Sequence, residues 1–295
     1  MSAYYSASHL PVLKSFPERV RVDIFRAAKF HFGVLALRGG GSIAIVAELV
    51  GELGAAGVAM ILATAIGAAV LRAFTGFGFG LAAVPVFSLV MAPTQAVVLS
   101  TSLTFTISLV TLKTYWGQYP VRSLLPMLVL ALAGTVAGVL LLGGFSPRQF
   151  QFWIGLIVIL VCVVLSLYRP PHHEPGSLVN SVTGFASGVM NGAFAIPGPP
   201  VIVYAMATQA DPARSRSLLM TFFLFSSVLA LASYGAAGFV TPLSPLLFVI
   251  AFPAMYLGDK LGYFLFRRYG AALYRRVALA VLFAVGLVTL GRALI

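Results

Sequence analysis

Apolar residues fall along the chain in ten runs separated by charges or helix breakers, at about 53–72, 80–91, 96–112, 122–143, 150–168, 178–191, 199–209, 215–235, 244–265 and 273–292. Most approach the ~20 residues a helix needs to cross a bilayer. Runs 80–91 and 199–209 are shorter, and each follows a cluster of glycine and proline. The runs are continuous, which excludes a β-barrel, whose strands alternate. The pattern predicts an all-α polytopic membrane protein.

The same five-run pattern occurs twice. A shift of 119 positions lays "GFGFGLAAVPVF" (76–87) on "AIPGPPVIVYAM" (195–206), Pro93 on Pro212 and Leu99 on Leu218. Paired breaks at corresponding places are the trace of a transporter repeat. An odd number of crossings per half makes the repeats inverted. The expected architecture is an inverted repeat of two five-helix halves with short broken helices at the centre. It divides into a basic N-terminal segment 1–42, disordered or interfacial, a first transmembrane repeat 43–170, a central loop 171–177 and a second transmembrane repeat 178–295.

Composition agrees with the pattern. The chain is 60% hydrophobic and 9% charged, where a soluble domain is about a quarter charged. The net charge of +12 belongs to membrane topology rather than to nucleic acid, because Lys and Arg lie between the apolar runs. With the start of the first long run outside and all ten runs crossing, Arg72, Lys113, Arg122, Arg169, Arg214, Arg216, Lys260, Arg267, Arg268, Arg275 and Arg276 fall on the cytoplasmic side. Only Arg148 and Arg292 then lie outside after the first run. Segment 1–42 breaks this rule and lacks an apolar stretch followed by a small-residue cleavage site, so no signal peptide is expected. Single Cys162 has no internal disulfide partner and reads as a core or lipid-facing residue. His172 and His173 in "RPPHHEPG" read as a solvated linker rather than metal ligands. No nucleophile–His–acid set, HExxH or P-loop lysine is present, so no enzyme activity, catalytic residue, metal or cofactor is expected.

The candidate chemistry lies at the breaks. Glycine permits positive φ and close backbone approach. A break facing lipid leaves N–H and C=O groups unsatisfied, so it survives only against protein or a water-filled cavity. A helix resuming at about Gly80 offers free N–H groups and the positive end of its dipole, an anion site. "NGAFAIPGPP" (191–200) is expected to do the same in the second half. The candidate substrate-binding residues are therefore Gly76, Phe77, Gly78, Phe79 and Gly80 with Gly198, Pro199 and Pro200. The other reading of these glycines is tight helix packing. Hydroxyls of Ser100, Thr101 and Ser102 are added as donors to the anion, from a cluster that also holds Thr104, Thr106 and Ser108. Their second-half counterparts are Ser217, Thr221, Ser226 and Ser227. Arg72, just before the first break, reads either as a site residue or as an arginine snorkelling from a helix end. Asn191 occupies the corresponding second-half position and either binds substrate or satisfies broken backbone. Arg214 and Arg216 beside Asp211 read as solvated, Glu48 and Glu52 as interfacial, and Asp259 and Lys260 as neighbours on different faces.

"GFGFGLAAVPVFSLVMAPTQAVVLSTSL" (76–103), "LAGTVAGVLLLGGFSPRQFQFWIGLIVIL" (132–160), "NGAFAIPGPPVIVYAMATQ" (191–209) and "GDKLGYFLFRRYGAALYRRVALAVLFAVGLVTL" (258–290) occur in that order. Together they resemble the signatures of the sulfite exporter TauE/SafE family over about 54–292. The resemblance implies a multi-pass cell inner-membrane transporter of small sulfur oxoanions or organosulfonates, sulfite among them, acting in export. Ala195 and Pro197 stand where that family usually has glycine, which stiffens the second break. The expected partners are a small anionic substrate and the lipid bilayer, with no nucleic acid, as a monomer or homodimer. Two alternatives remain: a proton- or ion-coupled transporter of another small anion or organic acid, and a membrane assembly or receptor subunit that does not transport.

Overall fold

A computed structural model describes residues 42–75, 78–167, 176–269 and 271–295. The chain divides into two compact units, 1–48 and 49–295, and the helix breaks belong to the second. The N-terminal segment, Gly76, Phe77, His172 and His173 lie outside the described residues, as do the side chains of Glu48 and Glu52.

Each predicted run is occupied by one helix: α1 Ser42–Thr75, α2 Phe79–Phe87, α3 Pro93–Val110, α4 Val121–Gly144, α5 Pro147–Leu167, α6 Ser177–Phe194, α7 Gly198–Thr208, α8 Pro212–Ala236, α9 Leu243–Tyr269 and α10 Ala271–Leu294. Seven of them are long and apolar enough to cross a membrane. Helices α2 and α7, with 9 and 11 residues, are about half the ~30 Å thickness of the hydrocarbon core at ~1.5 Å per residue. Neither crosses alone. Proline starts both α3 and α8, where a missing N–H is harmless. Asp211 caps α8 by accepting from the Ala213 and Arg214 N–H groups, each at 3.2 Å.

The helix boundaries themselves repeat. Thr75 and Phe194 end helices 119 positions apart, and the starts at Phe79 and Gly198, and at Pro93 and Pro212, share that offset. The packing repeats as well. A Cβ added to Gly134 or Gly138 of α4 would stand 2.2 or 2.3 Å from the carbonyl of Phe185 or Val189 on α6. A Cβ added to Gly258 or Gly262 of α9 would stand 2.4 or 2.7 Å from the carbonyl of Ile66 or Val70 on α1. Phe185 and Val189 are the residues that the offset of 119 sets on Ile66 and Val70, while the glycine pairs are 124 apart. One glycine-mediated contact is thus made twice, with the partners exchanged between the halves. The extra five positions accumulate after the start of α8, whose helix is 25 residues long against 18 for α3.

The contacts also fix directions. Rising residue numbers match along α4 and α6, as they do along α1 and α9, so each pair runs parallel. Helices α5 and α10 run antiparallel, with Gly155 against Leu290 and Ile159 against Gly286. Arg148 at the start of α5 donates to the Ala293 and Leu294 carbonyls at the end of α10, and Gln151 donates to the Ser88 carbonyl just after α2. At the opposite end, the Ser217 hydroxyl near the start of α8 donates to the Tyr115 carbonyl in the turn before α4. Helix α2 therefore runs back toward the α5 start, and α1 with α2 forms a hairpin hinged at the break.

These approaches predict an outcome for packing. Gly188→Leu would place a side chain on the Ala131 carbonyl, 2.2 Å from an added Cβ, and is expected to destabilise by about 2 kcal/mol or more. Gly235→Ala, with nothing within 4 Å, is expected to be near neutral. Thermal unfolding of the two variants in detergent checks the contrast.

Candidate functional site

The two breaks touch. A Cβ added to Gly80 would stand 2.3 Å from the Ala195 carbonyl oxygen, so only glycine lets the start of α2 approach the end of α6 this closely. Gly78, the N-cap of α2, has φ 100°, a left-handed conformation that glycine adopts without strain. Ala195 closes α6 at φ 55°, ψ 34°, which in a residue with a Cβ costs roughly 1–2 kcal/mol. The cost is offset by backbone bonds: the Ala195 N–H donates to the Asn191 carbonyl at 2.8 Å and the Ile196 N–H to the Met190 carbonyl at 3.3 Å. The bond from Ala195 to Asn191 is the αL form of helix close, which gives a terminal carbonyl a backbone partner.

Both half-helix N-termini open on one small cavity, lined by Arg72, Gly78, Phe79, Gly80, Leu81, Thr104, Ala195, Ile196, Pro197, Gly198 and Phe223. Its volume, about 30 Å³, has room for about two waters. In this conformation the cavity is narrow but not sealed from its surroundings.

The donors are unequal. In α2 the first helical bond at the break is made by the Ala82 N–H to the Gly78 carbonyl at 3.1 Å, which leaves the N–H groups of Phe79, Gly80 and Leu81 at the orphan end of the helix. In α7 the second and third positions are Pro199 and Pro200, which carry no N–H. Only Gly198 donates there. The expectation that the second break does the same as the first is therefore corrected. It contributes shape and one donor, and the first supplies three.

Arg72 is buried, 2% exposed. Its Nη1 lies 3.5 Å from Asp259 Oδ1 and its Nη2 donates to the Met220 sulfur at 3.6 Å. The snorkelling reading is thereby overturned: the guanidinium is turned into the protein, onto α9 and α8. Asp259 pairs with it across the fold, while neighbouring Lys260 sits over the Tyr256 ring, 5.3 Å from its centroid. Sequence reasoning missed this pair. The signal was present, since Asp259 is the only carboxylate inside a helix beyond residue 52 among the described residues, and an ionisable group at membrane depth is a functional candidate by default.

Asn191 is consumed by structure. Its side-chain amide donates to the Ser226 carbonyl at 2.8 Å, and its own carbonyl accepts from the Tyr234 hydroxyl at 2.7 Å. Ser100, Thr101 and Ser102 are buried but do not line the cavity; the hydroxyl residue that does is Thr104, one turn on. Thr101 lies by the Tyr234 hydroxyl, and the Ser100 hydroxyl finds no hydrogen-bond partner among the described residues. Thr106, Ser108, Ser226 and Ser227 bond back to carbonyls of their own helices. Cys162 is a buried core residue.

A family model described as sulfite exporter TauE/SafE matches residues 60–289. That span covers both breaks, Arg72 and Asp259. The chain belongs to the sulfite exporter TauE/SafE family. Members of this family are membrane transporters, so this TauE/SafE protein is a multi-pass membrane transporter and not an enzyme. No curated protein and no solved structure matches the chain.

Two substitutions test the site. Asn191→Leu is expected to destabilise by about 1–3 kcal/mol, because the buried Ser226 carbonyl loses its side-chain donor, and thermal unfolding measures it. Gly80→Ala is expected to force α2 away from Ala195 and to abolish any anion-induced rise in melting temperature. Retention of that rise would mean the close approach does not shape the binding site.

Proposed function

We propose that this TauE/SafE transporter carries a small sulfur-containing anion, sulfite or an organosulfonate, by alternating access between two inverted repeats. The observation that carries the reading is the single cavity shared by Arg72 and the N-termini of two half-helices, inside a chain whose family is named for sulfite export. An arginine and free N–H groups favour an anion over a cation or a neutral solute. The repeated helix boundaries and exchanged glycine contacts support two halves related by a pseudo-two-fold axis. Such halves rock against each other about a site at their interface.

Lys113, Arg122, Arg214, Arg216 and Arg268 lie at the end of the bundle where α3 meets α4 and α9 meets α10, and Arg148 and Arg292 lie at the other. Under the positive-inside rule the first end faces the cytoplasm, and the membrane is the cell inner membrane. Arg72 and Asp259 then sit toward the cytoplasmic end of the cavity. Glycines serve both of the roles read from sequence: Gly134, Gly138, Gly184 and Gly188 pack helices, and Gly78 and Gly80 shape the break. The substrate contacts assigned are the N–H groups of Phe79, Gly80, Leu81 and Gly198, with Arg72 and Thr104. Gly76 and Phe77 keep their candidacy from the sequence alone and lie outside the described residues.

Purified protein in lipid vesicles is expected to show saturable flux of at least one of sulfite, thiosulfate, sulfate, taurine and sulfoacetate. The transported anion is expected to raise the melting temperature in detergent, as a ligand selective for the folded state does. Absence of flux and of stabilisation across the whole panel would overturn the transport reading in favour of a non-transporting membrane subunit. Flux of carboxylates alone would overturn the sulfur specificity.

A further inference from the structure

We propose that the Arg72–Asp259 ion pair couples anion binding to protonation: Asp259 holds Arg72 while the cavity is empty, and takes up one proton when Arg72 turns to a bound anion. The proposal rests on the cavity being the anion site, as argued above, and adds the group that links the site to protons.

The geometry is that of a releasable clasp. A single N–O contact of 3.5 Å joins the two groups, and the second guanidinium nitrogen rests on the Met220 thioether, a weak acceptor. A tight structural pair is bidentate and shorter. Arg72 lines the cavity together with Gly78, Gly80 and Thr104 while its guanidinium is on Asp259 and Met220, so a turn of this one side chain exchanges the carboxylate for an anion in the cavity. Exposure orders them: the Arg72 side chain is 3% exposed and that of Asp259 14%. The carboxylate is the less buried member of the pair.

Charge decides the rest. With Asp259 ionised, Arg72 is already neutralised, and an anion entering the cavity adds an uncompensated buried charge. The effective penalty for such a charge is several kcal/mol. With Asp259 protonated, the guanidinium N–H donors pass to the anion and the local charge returns to balance. The step is Asp259 carboxylate plus one proton giving the carboxylic acid, with no bond broken in the anion. The charged and titratable groups facing the pair are Lys260 beside Asp259 on α9, Arg216 on α8 and Tyr115 in the turn before α4. None of them is a second carboxylate that would take the proton instead.

The repeat shows that this pair is an addition. The offset of 119 sets Arg72 on Asn191, and the offset of 124 sets Asp259 on Thr135. The equivalent place in the other half is polar but carries no charge. Proton linkage therefore enters through one half of the structure only.

The test uses full-length protein, with sulfate and methanesulfonate as probes because neither changes charge in the range used. Anion binding is followed by thermal shift from about pH 5 to about pH 8, a range in which buried carboxylates titrate. If one proton is taken up with the anion, affinity rises about tenfold per unit fall in pH across the titration of Asp259. Asp259→Asn is expected to bind the probe independently of pH, at least as tightly as the unaltered protein at low pH. Arg72→Gln is expected to weaken binding at least tenfold at every pH. In the unaltered protein, pyranine is expected to report uptake of one proton per anion bound, a readout that needs no variant to fold. Binding without pH dependence, uptake of no proton, or wild-type pH dependence in Asp259→Asn each overturns the proposal while leaving the anion site standing. If no anion in the panel binds the unaltered protein, the anion site itself fails.

Discussion

A helix that breaks inside a membrane leaves backbone groups that lipid cannot satisfy, and the position of those groups constrains everything around them. Here the two breaks are set against each other, with Gly80 on the Ala195 carbonyl. The Ala195 N–H and Ile196 N–H are absorbed by the end of α6, and the Asn191 carbonyl is further held by Tyr234. What stays unsatisfied is the set of N–H groups at the start of α2. That remainder faces a cavity with a buried arginine rather than lipid. N–H groups left over at the start of a helix favour a ligand of negative charge.

Holding the breaks together requires the long helices to approach closely, and glycine sets the distance. Carbonyls of α6 lie where Cβ atoms of Gly134 and Gly138 would be, and carbonyls of α1 where those of Gly258 and Gly262 would be. Between lipid-solvated helices there is little hydrophobic drive, so close packing of small residues supplies the association. Because the same contact occurs once per half, a change in the tilt of one parallel pair has a counterpart available in the other. Two equivalent arrangements of one contact would serve the alternating access proposed above.

Much of this was legible in the residues. Runs of apolar sequence gave all ten helices, since a lipid-facing helix has to be apolar along its length, and the offset of 119 reappears in the helix boundaries to the residue at three places. Gly78 and Gly80 were legible because left-handed backbone and close approach select one residue type. Ser100–Ser102 are buried away from the cavity that Thr104 lines, because periodicity fixes a helix but not its rotation toward a cavity. Asn191 was placed at the right depth, but its partner, the Ser226 carbonyl, is a backbone group that no sequence pattern marks. Arg72 with Asp259 was not legible as a pair. The two are 187 positions apart, and Asp259 sits next to Lys260, which offers a nearer and wrong reading of its charge.

The repeat sharpens that last point. Duplicated halves begin with equivalent residues at equivalent places, and the strongest functional asymmetry lies where the equivalence is broken. Asn191 and Arg72 stand at the same distance before their breaks, yet the asparagine is tied to the Ser226 carbonyl and the Tyr234 hydroxyl while the arginine lines the cavity and pairs with Asp259. Pro199 and Pro200 remove donors in the half that carries Asn191, and the N–H groups of Phe79, Gly80 and Leu81 remain in the half that carries Arg72. Both departures move positive character to the same side of the junction. On the proposed reading, a site between two such halves is polarised by substitutions in one of them, which would draw an anion toward α2 and α1 rather than α7 and α6.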